Sequence, residues 1–167
     1  MTFKRAAITL VVFAGLAQAA AAQSSDLLAT LDGTWKGEGW ARQKTSSATE
    51  KVLCRIENSY FRSSAKLVVE GRCAVPGRKF NLEGSVSRRL DSGAITGRWS
   101  NPFGAGIAAV TGTQSGNRIT LQFKAPHPDT GKNAPHLMLW DIETGRFSLT
   151  TRLPDQGITL SELQFRR

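Results

Sequence analysis

Only two cysteines and two histidines occur in this 167-residue chain. Cys54 and Cys73 are not spaced as C-x-x-C, which excludes a dithiol redox motif and a four-cysteine zinc site. No G-x-S-x-G elbow is present, and no glycine-rich phosphate loop leads into a helix. No apolar run reaches the roughly 20 residues needed to span a bilayer as a helix. Helical periodicity is missing beyond residue 22, apart from a short turn predicted over Ser25 to Ala29. These absences leave no catalytic set. The expectation is a non-enzymatic protein that needs no cofactor and binds no metal.

What is present begins with a targeting pattern. Lys4 and Arg5 precede the apolar run AAITLVVFAGLA, and a small-residue stretch ends in Ala20-Ala21-Ala22. That order predicts a signal peptide over residues 1–22, cleaved between Ala22 and Gln23, and hence a periplasmic or secreted protein. Residues 23–33 read as an N-terminal tail, and 34–167 as a single domain. Losing Lys4 and Arg5 lowers the formal net charge of +9 by two. The remaining positive charge favours acidic partners, and in an exported setting an acidic envelope component fits better than nucleic acid.

Two cysteines in an exported chain predict one disulfide. A hairpin turning at Arg62-Ser63-Ser64-Ala65 puts Cys54 opposite Cys73 and explains both flanks at once. Val52 then faces Val75, Ile56 faces Gly71, Asn58 faces Val69, and Tyr60 faces Leu67. Arg55, Glu57, Glu70 and Arg72 take the other side, with opposite charges on the diagonals. Glu83 also falls on an outward position, so these glutamates read as a solvated exterior rather than a catalytic carboxylate pair.

Alternation with period two continues through KFNLEGSV, AITGRWS, RITLQFK and RFSLTTRL, with turn residues between. Ten strands are predicted, starting near Thr34, Glu50, Lys66, Lys79, Ala94, Gly106, Asn117, Leu137, Arg146 and Ile158. Consecutive hairpins without edges imply an all-β, antiparallel up-and-down barrel of about 8–10 strands, with a β-sandwich as the alternative. Residues 125–136 hold three prolines and read as a long loop that caps one mouth. His127, Asp129 and His136 lie in or beside that loop, in a spacing that matches no metal-site motif.

LDGTWKGEGW opens the first strand, and its Gly33-Thr34-Trp35 resembles the Gly-x-Trp entry of the calycin superfamily of lipocalin- and avidin-type barrels. The layout is also similar to small exported bacterial proteins that begin L-x-G-x-W and carry a disulfide hairpin soon after. The calycin resemblance implies that Trp35 closes one end of the barrel under an arginine of the last strand, Arg166 or Arg152. Trp40 is expected on the outside as a contact candidate. The leading functional expectation is a small apolar or amphipathic ligand in a cavity of about 300 Å³ or more. Tyr60, Leu67, Phe80, Trp99, Leu121, Phe123, Trp140 and Leu149 would line it. The alternative is an envelope- or protein-binding module, such as a periplasmic protease inhibitor that inserts its N-terminal tail into an enzyme.

Overall fold

A computed structural model describes residues 26–89, 91–100 and 106–167; the expected signal peptide and its cleavage point lie outside them. Ten strands follow in order: β1 (Gly33–Ala41), β2 (Glu50–Phe61), β3 (Lys66–Val75), β4 (Arg78–Arg88), β5 (Ile95–Ser100), β6 (Ile107–Ser115), β7 (Arg118–Pro126), β8 (Asn133–Glu143), β9 (Arg146–Leu153) and β10 (Ile158–Arg166). Each pairs antiparallel with its chain neighbours, and β1 pairs with β10, so the sheet closes as an up-and-down barrel. The sandwich alternative is excluded.

Alternation decides which side chains face in. Along β2 the buried set is Val52, Cys54, Ile56 and Asn58, while Lys51, Leu53, Arg55, Glu57 and Ser59 are exposed. The β2–β3 register places Cys54 opposite Cys73, Ile56 opposite Gly71, Asn58 opposite Val69 and Tyr60 opposite Leu67. The predicted disulfide joins Cys54 to Cys73, and a bond of this kind is compatible with an oxidising, exported location. The turn between these strands is a short 3-10 helix over Arg62–Ser64, ending with Ala65 in the left-handed region.

Two expected boundaries move. β8 starts at Asn133, not near Leu137, and β7 runs on to Pro126, so the loop at this mouth shrinks to residues 127–132. Pro135 is compatible with the strand because β9 pairs with β8 only from Leu137 onward. A residue bonded on one side alone tolerates a missing N–H. The second change concerns the predicted tail: Leu27–Leu31 is a 3-10 helix whose Leu28 and Leu31 are wholly buried.

That helix seals one end of the barrel. The Trp35 indole N–H donates to the Leu31 carbonyl at 2.8 Å, and the Asn58 amide donates to the same oxygen at 2.9 Å. Arg167, rather than Arg166 or Arg152, stacks over Trp35 at 4.6 Å and donates to the carbonyls of Thr30 and Asp32. Leu163 and Phe165 face inward, so two further residues along, position 167 reaches the same side. Arg166 points outward beside Lys36, and Arg152 is exposed on β9.

Tyr60 latches the plug from β2. Its hydroxyl bonds to the Asp26 carboxylate, and Arg88 approaches the other oxygen of that carboxylate at 3.5 Å. Burial, then the bond to Asp26 and its charge, push the phenol up to about 12. Because the chain has one tyrosine, an alkaline absorbance titration reads this group alone. The expected midpoint is near 12 in the native protein and about 10 in denaturant. The unfolded chain therefore loses its phenolic proton first, and stability falls as pH rises through that interval. Asp26→Asn should bring the native midpoint down; a native midpoint equal to the denatured one would mean that the latch does not form.

Candidate functional site

At the opposite end the described residues form an apolar cup of about 90 Å³. Its walls include Ala41, Val52, Phe80, Leu82, Trp99, Phe123, Leu149 and Leu163, with Pro126, Pro128 and Leu160 toward the rim. Inward parity selects these residues, and their strand positions near the mouth bring them together. Of the eight expected cavity residues, Phe80, Trp99, Phe123 and Leu149 line the cup. Leu67 and Leu121 are wholly buried in the core, and Tyr60 belongs to the plugged end. Trp140 sits deeper, edge-on to Trp99 with ring centroids 5.4 Å apart.

The cup is smaller than the 300 Å³ expected because large side chains fill the middle of the barrel. Trp140, Leu121, Ile119 and Met138 are each at most 1% exposed. Trp99 is held by a glycine beneath it: a Cβ on Gly84 would lie 2.2 Å from its ring. Gly37 similarly makes room for Phe165, which stacks on Phe147 at 4.6 Å. These close approaches require glycine for space, since neither residue is in the left-handed region. Below the cup a space of about 10 Å³ shares Leu82, Trp99 and Leu149 as walls. The Asn58 carbonyl oxygen and the Trp140 indole N–H belong to residues lining it, and neither has a partner among the described residues. One acceptor, one donor and about one probe sphere of room suit a hydroxyl or a water molecule.

The rim is tied together by polar contacts between loops. Asp129 accepts from the backbone N–H of Thr45 at 3.0 Å and from its hydroxyl, joining the β7–β8 loop to the β1–β2 loop. The Thr45 hydroxyl holds the Asp129 carboxyl below its usual range. The ring Nε2 of His127 lies 2.8 Å from the Gln156 amide, linking the β9–β10 turn. His136 is 3% exposed, stacks on Phe123 at 5.2 Å, and lines the cup. Burial holds its pKa below the ordinary value, against the opposing bond to the Ala134 carbonyl. His127 Nδ1 accepts from the Asp129 backbone N–H at 3.1 Å, while the Asp129 carboxylate holds Thr45 and the His136 ring bonds the Ala134 carbonyl. Among the described residues no group of three or more His, Cys, Asp or Glu side chains could hold a metal ion.

Arg42 is a functional candidate that alternation misplaces: the period of β1 puts it on the outer face with Lys36, Glu38 and Trp40, but it follows the last residue of the strand. It lines the cup, donates to the Thr45 carbonyl at 3.0 Å and lies over the Trp40 ring at 5.3 Å. Its Nε is buried without a partner among the described residues. Trp40 faces outward and is half-buried, shielded by that guanidinium. Leu28 and Leu31, which fall in the expected N-terminal tail, are buried in the plug.

No family model matches the chain, and no curated protein matches it. Among the described residues no helix is long and apolar enough to cross a membrane.

Proposed function

We propose that the protein is an exported, calycin-like, non-enzymatic binding protein for a small anionic amphiphile. The apolar end of the ligand enters the cup, and its head group meets Arg42 at the rim. The observation that carries this reading is the pairing of an apolar cup at the barrel mouth with a cationic donor whose Nε is buried and has no partner among the described residues. Leaving such a donor unmet costs about 1–3 kcal/mol, and a carboxylate or sulfonate would meet it.

The cup, at about 90 Å³, is well below the roughly 300 Å³ at which ordinary ligand pockets begin. It suits a short alkyl end or one small ring rather than a whole drug-sized molecule. The plugged far end and the Trp35–Arg167 stack support the calycin likeness, and the loop bonds at the rim support a site formed before ligand arrives.

Octanoate is a direct probe, because Trp99 lines the cup and reports occupancy by fluorescence. A saturable change is expected with octanoate, and a response about tenfold weaker with octylammonium or in Arg42→Gln, the loss of one charge-assisted bond. Leu160→Trp should block the mouth. If neither octanoate nor decanoate gives a saturable signal, and the protein recovered from its host carries no extra non-protein mass in native mass spectrometry, the proposal fails.

A further inference from the structure

The outer wall of the barrel carries a second feature, independent of the cup. Arg146 lies opposite Arg166, Arg166 opposite Lys36, Lys36 opposite Arg55, and Arg55 opposite Arg72. Five cations on β9, β10, β1, β2 and β3 therefore form one unbroken row, and all five are exposed. Like charges directly opposite one another on neighbouring strands are destabilising. Arg146 has Glu143 for a partner. Among the described residues, Lys36, Arg55, Arg72 and Arg166 have no carboxylate within ion-pair distance.

The row is bordered by negative charge. Glu57, Glu70 and Glu83 face one another across β2, β3 and β4 on the side toward the plug. Glu38 lies two residues beyond Lys36 on the other side. Rows two residues apart on a strand are separated by about 7 Å, so the positive charge forms a track one chain wide. A concavity of about 400 Å³ sits on it, lined by Lys36, Glu38, Leu53, Arg55, Gln164 and Arg166. Leu53 is 51% exposed there, an apolar surface beside three cations.

We infer that this belt binds an acidic polysaccharide lengthwise. With strands about 4.8 Å apart, the five cations span about 19 Å, the reach of several sugar units. The belt covers four of the ten strand-to-strand steps around the barrel, so it is strongly curved. A flexible polymer follows such a curve, whereas a flat anionic bilayer would touch few of the cations and would meet the flanking glutamates. Single-stranded nucleic acid binds through aromatic stacking platforms, and no residue lining the concavity is aromatic. Leu53 gives the C–H face of a sugar ring a surface to rest on.

The test uses oligogalacturonate, a linear carboxylated polysaccharide, titrated into the protein at several salt concentrations. The triple variant Lys36→Gln, Arg55→Gln, Arg72→Gln should bind about tenfold or more weakly, with a salt dependence shallower by about three counterions. A control triple, Arg98→Gln, Lys124→Gln, Arg152→Gln, removes the same charge from exposed sites off the belt and should retain most of the affinity. Thermal melts of the belt variant should show undiminished stability, since it relieves like-charge pairs. Equal losses in the two triples would reduce the effect to net charge and overturn the inference. Tighter binding to single-stranded DNA or to anionic lipid vesicles than to oligogalacturonate would overturn it as well. Octanoate binding in the cup is read separately, so either proposal can fail alone.

Discussion

Truncating the plug with Leu28→Ala and Leu31→Ala together should lower the unfolding free energy by about 5 kcal/mol or more. Each leucine is 0% exposed, and a buried leucine cut to alanine costs about 2–5 kcal/mol. Domains of this kind hold only about 5–15 kcal/mol in total, so the melting temperature should fall by roughly 15 °C. The damage goes beyond lost burial. The Leu31 carbonyl anchors both Trp35 and Asn58, and Arg167 grips the same segment through Thr30 and Asp32. Urea unfolding of the double variant against the parent is the measurement. A combined loss under about 1 kcal/mol, no more than surface substitutions cost, would mean that the helix only rests on the barrel.

Removing the disulfide should cost about 3 kcal/mol in the chain-entropy account, given a sequence separation of 19 residues. Cys54→Ala with Cys73→Ala is the suitable pair, because both positions face the interior and alanine introduces no polar atom. The hairpin should keep its register, since Ile56–Gly71, Asn58–Val69 and Tyr60–Leu67 pair independently of the sulfur atoms. Equilibrium urea curves with and without reductant give the parent's own value, and the double alanine variant should not respond to reductant. If reduction leaves the parent's midpoint unchanged, the bond contributes nothing to folding.

Strand pairing was legible because a period of two needs only local sequence. Cys54, Ile56, Asn58 and Tyr60 find their partners from alternation and turn position alone, and nine of the ten strand starts lie close to where alternation begins. Sequence alone starts β8 late because Pro135 reads as a chain breaker, while its tolerance depends on β9 being absent beside it. Parity separates inside from outside but carries no information about depth along the barrel axis. Alternation alone therefore groups Leu67, Leu121, Trp140 and Tyr60 with the true cup residues. Alternation puts Arg42 outward, because its buried Nε without a partner among the described residues is a tertiary fact. The basic belt is half visible: Arg55 and Arg72 follow from the hairpin and Lys36 joins them through β1–β2, but Arg166 and Arg146 join only when β1 meets β10.

That last meeting also governs how the molecule must assemble. Every other ladder joins chain neighbours, whereas the β1–β10 seam unites Lys36 with Arg166 across almost the whole domain. Until it forms, β1 and β10 both offer unpaired backbone to any similar strand nearby. The nine hairpin ladders can zip locally, while the ring waits on one distant encounter, and such long-range closure belongs to the slow, millisecond-to-second regime. Crowded or concentrated conditions during that interval therefore favour strand exchange between copies over completion of the ring. Partly built chains are the vulnerable species, and in the finished barrel β1 and β10 no longer offer an edge to each other's rivals.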